Sequence, residues 1–451
     1  MKKRWIQGLL VLLGLISLGG LVQSQTPTYP KLKSPAATLA STAASPTATP
    51  EDVGLSSERL TRIASAMQRS VDDGRVAGGV SLVARHGKIA YLQAVGMADR
   101  EAHKPMRTDS IFRICSMTKP ITAVAVMILY EEGRFELSDP VSNYLPEFKH
   151  MKVLDPPWPQ DTTSPAGALV DAKRQITIFD LLTHTAGLAY APNPRLDKAY
   201  LDANVSPGLF QTEGTIADGV KRMATVPLLF QPGDHWKYSL AMDVLGRLVE
   251  VVSGMPFDQF LEERIFKPLG MKDTYFFLPE DKVARLAAAY AYTEEKGLHV
   301  IPDNQISDEG GSKHSADYPY RGPRTYFSGG GGLCSTAEDY FRFCQMMLNN
   351  GELNGVRILS RKSVELMTQD HVQNRPGGPP YGLGFGVNSD PNKLTELGSL
   401  GSYYWSGFYF TRFVIDPKED LITIFMSQLY PWGGLKLDVE VQTLAYQAIT
   451  K

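Results

Sequence analysis

The sequence of 451 residues lacks several features that would assign it to a common class of protein. It has only 3 cysteines, which excludes a scaffold held together by many disulfides. Neither sign of charge dominates, because 46 Lys and Arg stand against 48 Asp and Glu. That balance, without a basic block, argues against nucleic acid as a partner. Hydrophobic residues make up 43% of the chain, enough for a buried core and too many for a disordered protein.

Motifs of several enzyme classes are also missing. The sequence has no G-x-S-x-G nucleophile elbow, no H-E-x-x-H motif, no cysteine pairs at zinc spacing and no G-x-x-x-x-G-K-[ST] phosphate loop. The four glycines at 329–332 lack the spacing of a dinucleotide-binding loop. We therefore expect neither a metal nor a cofactor.

The longest hydrophobic run lies at the N-terminus. Three basic residues at 2–4 precede an almost wholly apolar stretch at 5–22, which predicts a secretory signal peptide over residues 1–24. An uncleaved membrane anchor is the alternative, because a stretch of this length can just span a bilayer. Residues 25–50 are rich in Pro, Ser, Thr and Ala and predict an extended linker. We expect a periplasmic or secreted protein that is not inserted in the membrane once the signal is cleaved.

The predicted catalytic domain, residues 51–451, begins with a helix and a hairpin. Apolar residues recur at helical spacing after the N-cap candidate Ser56. Two alternating segments, 80–85 and 88–95, predict the hairpin. The segment 120–132 is apolar on all sides and predicts a buried helix.

The middle of the chain is mostly helical, with further helices predicted over 177–182 and 239–253. Long polar loops are predicted at 154–172 and 291–327. Loops of this length usually form the rims or lids of functional sites.

The C-terminal part returns to β-structure. A capping box from Ser335 to Glu338 predicts a helix that ends near Leu348, and a last helix begins at about Asp438. The strands predicted between these helices are 383–388, 394–400, 405–415 and 421–428.

The order of these elements predicts the fold class. No regular βαβ alternation is present, which disfavours a doubly wound parallel sheet. We predict an α+β fold whose antiparallel sheet part, 51–115 and 330–451, is interrupted by a mostly helical part, 116–329.

Ser116 and Lys119 form an S-x-x-K pattern where a short predicted strand meets the apolar helix. Side chains at i and i+3 share one helix face, and the helix N-terminus adds a positive potential beside the serine. A lysine in apolar surroundings can lose its proton and act as a base. Taken alone, the pattern more often marks an N-cap serine and a surface lysine, but here the lysine leads directly into an apolar helix that leaves it little room at the surface.

Other reactive side chains are assigned structural roles. His184 is interpreted as a histidine hydrogen-bonded within a turn, and Cys115 as a small buried hydrophobic residue. Too much helical chain separates Cys334 from Cys344 for a disulfide. We therefore expect three buried thiols.

Several longer segments share a distinctive order and spacing. They are 112–120, 181–188, 232–239, 268–271, 405–407 and 416–418. Together they resemble the serine β-lactamase-related hydrolases, which include class C β-lactamases, D-alanyl-D-alanine carboxypeptidases and family VIII carboxylesterases. The resemblance extends from about Leu55 to the C-terminus and implies a β-lactamase/transpeptidase-like fold.

The resemblance implies roles for individual residues. Ser116 matches the nucleophile, Lys119 the general base and Tyr238 the tyrosine of the Y-x-N motif. The backbone N–H groups of Ser116 and Phe408 match the oxyanion hole.

Two departures from the family pattern concern the substrate. The second motif, at 238–240, ends in Leu instead of Asn, and the third motif begins with Trp405 instead of Lys. An indole cannot pair with the carboxylate of a β-lactam, and this form of the motif resembles that of the esterase branch. The residues expected to contact substrate are Trp236, Trp405, Ser406, Gly407 and Arg412, the last as a partial replacement for the missing lysine.

The resulting prediction is an exported serine hydrolase that acts on small esters through an acyl-Ser116 intermediate. One alternative applies the same chemistry to amides, as a β-lactamase, D-alanyl-D-alanine carboxypeptidase or D-aminopeptidase. Acyl transfer to an acceptor other than water is a second alternative, and a catalytically silent binding module is a third.

Overall fold

A computed structural model describes residues 45–155, 157, 168–206, 208–210, 214–308, 313–373 and 375–451. The predicted signal peptide, 1–24, and the linker up to residue 44 lie outside the described residues. Within the described ranges, no helix is both long enough and apolar enough to cross a membrane.

The β-strands fall at the two ends of the chain, with short hairpins between them. They are β1 Gly78–Arg85, β2 Lys88–Asp99, β3 Lys104–Pro105, β4 Phe112–Arg113, β5 Lys152–Asp155, β6 Ala168–Asp171, β7 Tyr290–Thr293, β8 Gly297–Val300, β9 Cys334–Ser335, β10 Glu352–Leu353, β11 Val356–Arg357, β12 Gly386–Val387, β13 Tyr403–Gly407, β14 Thr411–Asp416 and β15 Leu421–Met426.

Most helices lie between β4 and β9. The helices are α1 Ser57–Asp72, α2 Thr118–Glu131, α3 Ile178–Leu182, α4 Asp197–Asp202, α5 Ile216–Met223, α6 Ala241–Ser253, α7 Phe257–Leu261, α8 Lys267–Leu269, α9 Glu280–Val283, α10 Ala337–Leu348, α11 Arg361–Met367 and α12 Leu437–Tyr446.

A seven-stranded antiparallel sheet organises the fold, with the order β12-β13-β14-β15-β1-β2-β3. Strands from the beginning and the end of the chain meet at its centre, where β1 pairs with β15. The chain between them forms the helical part. This is the predicted α+β architecture, a sheet with a helical insertion.

Helices cover both faces of the sheet, so the central strand β15 is buried along its whole length. Leu421 and Phe425 pack with α1 and α12 on one face. Ile422 and Ile424 face the larger core, to which α2, α6 and α10 contribute. Neighbouring residues of a strand point to opposite faces, and this explains why β15 is apolar without alternation.

Helix α2 occupies the middle of the larger core and is buried from Thr118 to Leu129. Such a helix has no solvent face, which agrees with its apolar sequence. Its N-terminus is therefore anchored by the surrounding core, and this position carries the candidate site.

The segment 45–50, predicted as linker, packs against the folded part. Thr47 bridges to Ile89, and Ser45 Oγ donates to Glu338 Oε1 at 2.8 Å. Glu338 is therefore not the partner of a capping box. Helix α10 is capped one residue later than predicted, by Thr336, whose Oγ1 accepts from the N–H of Asp339.

Two predicted strands near the C-terminus are wrong. The run 405–415 is two strands, β13 and β14, joined by a turn in which Phe410 has a φ of 63°. The run 394–400 is not a strand, because side-chain contacts replace the ladder there: the N–H of Ser399 donates to Asp416 Oδ2. The predicted loops 154–172 and 291–327 also contain the β5–β6 and β7–β8 hairpins.

Candidate active site

Ser116 lies in a 3-10 turn, Cys115–Met117, that leads from β4 into α2. Cys115 has a φ of 43°, a conformation that non-glycine residues adopt rarely. The backbone N–H of Ile114 donates to the carbonyl of Leu333 and holds the entering chain. The result is a sharp turn in which Ser116 is partly exposed while both of its neighbours are buried.

Lys119 is one helical turn further on and is fully buried. Its Nζ donates to Ser116 Oγ at 3.1 Å, to Tyr190 Oη at 3.2 Å and to the carbonyl oxygen of Gly330 at 2.6 Å. The i, i+3 contact predicted between Ser116 and Lys119 is therefore present.

Tyr238 precedes α6 and reaches the same serine. Its Oη donates to Ser116 Oγ at 2.7 Å, and Lys119 Nζ lies 4.6 Å from the centroid of its ring. Other rings surround it at centroid distances of 5.0, 5.3, 5.5 and 6.3 Å, those of His184, Tyr190, Trp405 and Trp236 respectively. These contacts restrict the phenol to one orientation.

His184 supports this cluster from within the protein. It is fully buried, has a φ of 56°, and its Nδ1 lies 3.1 Å from Ser239 Oγ. Burial, together with the positive charge of Lys119, holds the pKa of His184 well below its usual value. A neutral, hydrogen-bonded imidazole in a turn agrees with the structural role expected for it.

Asp243 organises the groups behind Lys119. This fully buried carboxylate, in the first turn of α6, accepts from the N–H of Gly330 at 2.7 Å, from Ser328 Oγ at 2.8 Å and from Tyr326 Oη at 2.9 Å. Burial raises the pKa of Asp243, and these hydrogen bonds oppose that shift. Asp243 thus holds the glycine whose carbonyl contacts Lys119.

Gly407 and Phe408 stand where β13 ends beside the serine turn. A Cβ at Gly407 would lie 2.3 Å from the carbonyl oxygen of Ile114, so only glycine allows this close approach of the two chains. Phe408 lines the cleft that contains Ser116 and stacks on Tyr430 with centroids 3.7 Å apart.

The residues predicted to contact the substrate fall into two groups: three lie beside Tyr238 or the serine turn, and two lie on the opposite face of the sheet. Trp405 lies against Tyr238 and Tyr381, and Trp236 is buried behind Tyr238, where it stacks at an interplanar angle of 20°. Both indoles therefore support Tyr238. Gly407 lies beside the serine turn, as described above.

Arg412 and Ser406 are not brought into the cluster. They are directly paired across β13 and β14, so their side chains share the face opposite to Trp405. Arg412 Nη2 contacts Glu396 Oε2 at 2.8 Å, and its Nε donates to Gln442 Oε1 on α12 at 3.2 Å. The structure therefore does not support Arg412 as a replacement for the missing lysine.

A cleft of about 550 Å³ opens over Ser116. Its lining is mostly apolar and aromatic, and the described residues that form it are Ser116, Tyr190, Ala191, Pro192, Asp197, Tyr200, Leu201, Asn204, Val205, Leu209, Phe210, Tyr238, Lys313, Gly330, Phe408 and Tyr430. A cavity of this size and lining is typical of a site for a small organic molecule.

Three groups of the site were not predicted from the sequence: Tyr190, Asp243 and the carbonyl of Gly330. Asp243 had a signal, because an acidic residue in the first turn of an otherwise apolar helix must find buried donors. No local pattern indicated Tyr190 or Gly330, because each lies more than 70 positions from Lys119 in the chain.

Comparison with known proteins adds to this geometry. The Beta-lactamase family model matches residues 63–446. Protein Rv1367c of Mycobacterium tuberculosis is 37% identical over 385 residues, which cover 81% of this chain and 89% of that protein. Esterase EstB of Burkholderia gladioli is 32% identical over 371 residues, with 81% and 89% covered.

A solved structure agrees with these relatives. EstCE1, described as a hydrolase with promiscuous acyltransferase activity, superposes with a TM-score of 0.73 at 28% identity, covering 86% of this chain and 99% of that one. The family match spans most of the chain, including both ends of the sheet and the helical part. The chain therefore belongs to the Beta-lactamase family and is a serine hydrolase with the β-lactamase/transpeptidase-like fold.

Proposed function

We propose that this serine hydrolase is a carboxylesterase that works through an acyl-Ser116 intermediate. One observation carries the proposal: Lys119 Nζ and Tyr238 Oη both lie within 3.1 Å of Ser116 Oγ, at the floor of a largely apolar cleft. A nucleophile within hydrogen-bond reach of two proton-transfer groups is the arrangement that covalent catalysis requires.

In the acylation step, Lys119 reacts in its deprotonated form, so that the hydrogen bond to Ser116 Oγ is reversed and Nζ accepts from the serine. Its two N–H groups donate to Gly330 and Tyr190, which leaves its lone pair for the proton of Ser116. Ser116 Oγ then forms a bond to the ester carbonyl carbon. When the tetrahedral intermediate collapses, the C–O bond to the alcohol breaks and the alcohol oxygen takes a proton from the Lys119–Tyr238 pair.

In the second step, water attacks the acyl carbon of acyl-Ser116. The same pair accepts the proton of the water, the bond between the acyl carbon and Ser116 Oγ breaks, and the pair returns that proton to Oγ as the acid leaves. The proposed oxyanion hole consists of the N–H groups of Ser116 and Phe408, which would stabilise the negative oxygen in both steps.

The preference for esters rests on two residues at motif positions. Trp405 occupies the place where β-lactamases carry a lysine, and its ring lies 5.5 Å from that of Tyr238. Leu240, in place of asparagine, is buried and has no amide to offer a substrate. Trp405 and Leu240 therefore cannot hold the carboxylate or the amide of a β-lactam. A simple ester has no such groups and does not require these contacts.

The proposal includes export, which rests on the signal-peptide pattern of residues 1–24 and on the assignment of 51–451 as the catalytic domain. N-terminal sequencing of the protein recovered from the periplasm or medium should show cleavage after Ser24. Recovery of the uncleaved chain from membranes would contradict this part of the proposal.

A substrate panel tests the proposed activity. We expect kcat/KM for p-nitrophenyl butyrate to exceed that for nitrocefin and for a D-Ala-D-Ala peptide by about 100-fold or more, because lost polar contacts in a built site have effects of that size. Mass spectrometry of the protein quenched during turnover should find the acyl group on Ser116. Faster turnover of nitrocefin or of the peptide would favour the amide alternative.

Asp243 is proposed as a positioning residue, because it orients Lys119 through Gly330. We expect Asp243→Asn to lower kcat about tenfold with little change in KM, since small displacements of a reacting group are costly. The control is Asp258→Asn, which makes the same substitution at a half-buried acid on α7 whose pKa burial also raises. Equal kcat values for wild type and Asp243→Asn would contradict the role, as would an equal loss in the control.

A further inference from the structure

One wall of the cleft over Ser116 consists of apolar side chains from α4 and the chain that follows it. We call this wall the apolar lobe, defined by Tyr200, Leu201, Val205, Leu209 and Phe210. It is continuous with the cleft that contains Ser116, so a molecule bound at the serine can extend along it.

The apolar lobe is held in place by the protein. Tyr200 is buried against Leu196 and Phe230, and its Oη accepts from the N–H of Ala189 at 3.0 Å. The carbonyl of Leu209 accepts from the N–H of Ser315 at 2.9 Å. Two of the five residues of the lobe, Tyr200 and Leu209, are therefore anchored by the rest of the protein.

Leu201 directly follows the anchored Tyr200 on α4 and, unlike Tyr200, is exposed. Its side chain is 71% exposed although it lines the cleft. An exposed leucine is ordinary on a protein surface, but here it lies beside other apolar residues that share one cavity. Covering this side chain with an apolar group would remove both surfaces from water.

The charges in the cleft are few. Asp197 and Lys313 are the charged side chains among the described residues that line it, and Asp197 already accepts from the N–H of Asn193. A strongly charged substrate would therefore find little compensation, whereas an uncharged apolar group would find complementary surface.

We propose that the apolar lobe binds the hydrophobic part of the substrate, and that the preferred esters carry an apolar chain of about eight carbons or an aromatic group of similar size. The inference rests on the proposed esterase activity and defines its substrate class. A cleft of about 550 Å³ is larger than an acetyl or butyryl ester requires.

The first test is a chain-length series. With p-nitrophenyl esters from acetate to octanoate, kcat/KM of the full chain should rise about tenfold or more, because each buried methylene favours binding. Octyl acetate compared with ethyl acetate tests the alcohol side in the same way. A rise in only one series identifies which part of the ester occupies the lobe, and flat or falling profiles in both would overturn the proposal.

The second test uses a charge in the lobe. Leu201→Asp should lower the ratio of octanoate to acetate kcat/KM about tenfold. Leu400→Asp is the matched control, because Leu400 is 49% exposed and does not line the described cleft, and its ratio should equal that of the wild type. An unchanged ratio in Leu201→Asp would contradict the lobe.

A binding measurement separates this inference from the proposed reaction. Calorimetry should detect binding of p-nitrophenyl octanoate to Ser116→Ala, and weaker binding to Ser116→Ala carrying Leu201→Asp. If the wild type hydrolyses no ester but this difference is present, the esterase proposal fails and the apolar lobe stands. If esters are hydrolysed but the two variants bind equally, the lobe fails alone.

Discussion

Ser116→Ala is expected to lower kcat/KM for p-nitrophenyl butyrate by about 10⁴-fold or more, because it removes the only atom proposed to bond to the acyl carbon. The loss should appear in kcat, since the cleft that binds the ester is otherwise unchanged. Ser116 is partly exposed, and its Oγ contacts Lys119 and Tyr238, so the substitution removes no core packing. Initial rates at matched protein concentration measure the effect.

The matched control for this prediction is Ser406→Ala. Ser406 lies in the third motif, but it is exposed and shares the sheet face of Arg412. We expect its kcat/KM to remain within about twofold of the wild type, as is usual for surface substitutions away from a site. Equal rates in wild type and Ser116→Ala would place the nucleophile elsewhere. A large loss in Ser406→Ala would show that this face of β13 contacts the substrate.

Tyr238→Phe is expected to lower kcat by about 100-fold to 1000-fold, the range for removing a group that transfers a proton. The ring remains, so its contacts with His184, Tyr190 and Trp405 are retained and only the hydroxyl 2.7 Å from Ser116 Oγ is lost. The thermal unfolding midpoint should therefore change little. Steady-state kinetics and a thermal melt measure the two effects separately.

Tyr381→Phe provides the matched control, since Tyr381 belongs to the same aromatic cluster and is fully buried. Its Oη has no hydrogen-bond partner among the described residues. Removing an unpaired buried hydroxyl should leave kcat unchanged and stabilise the fold by about 1 kcal/mol. If Tyr381→Phe reduced turnover as much as Tyr238→Phe, the aromatic cluster as a whole would be responsible, and the specific role of Tyr238 would be wrong.

The elements with strong local patterns were predictable. Helix α2 followed from its uninterrupted apolar sequence, and the β1–β2 hairpin followed from alternation around a tight turn. Weaker local patterns gave errors: 394–400 contains apolar residues but has no partner strand, and the cap of α10 is Thr336 instead of Ser335. A short apolar run becomes a strand only where another strand can pair with it.

Within the candidate site, the contact of Ser116 with Lys119 followed from helical periodicity, which depends on neighbours in the chain alone. The place of Tyr238 beside them could not follow from local spacing, because Tyr238 lies 122 positions from Ser116 in the chain. It was implied by the family resemblance alone. The direction of Arg412 could not be predicted, since a shift of one residue in strand register reverses which face a side chain occupies.

The sequence by itself thus determined the helices with continuous patterns, the family and the contact of Ser116 with its neighbouring lysine, since these depend on local spacing and on motifs. Only the tertiary structure decided that Asp243 holds Gly330 against Lys119, that the two indoles support Tyr238, and that Arg412 pairs with Glu396 on the far face. Those contacts join segments that are distant in the chain. They arise because buried polar groups must find partners wherever the packed core brings them together.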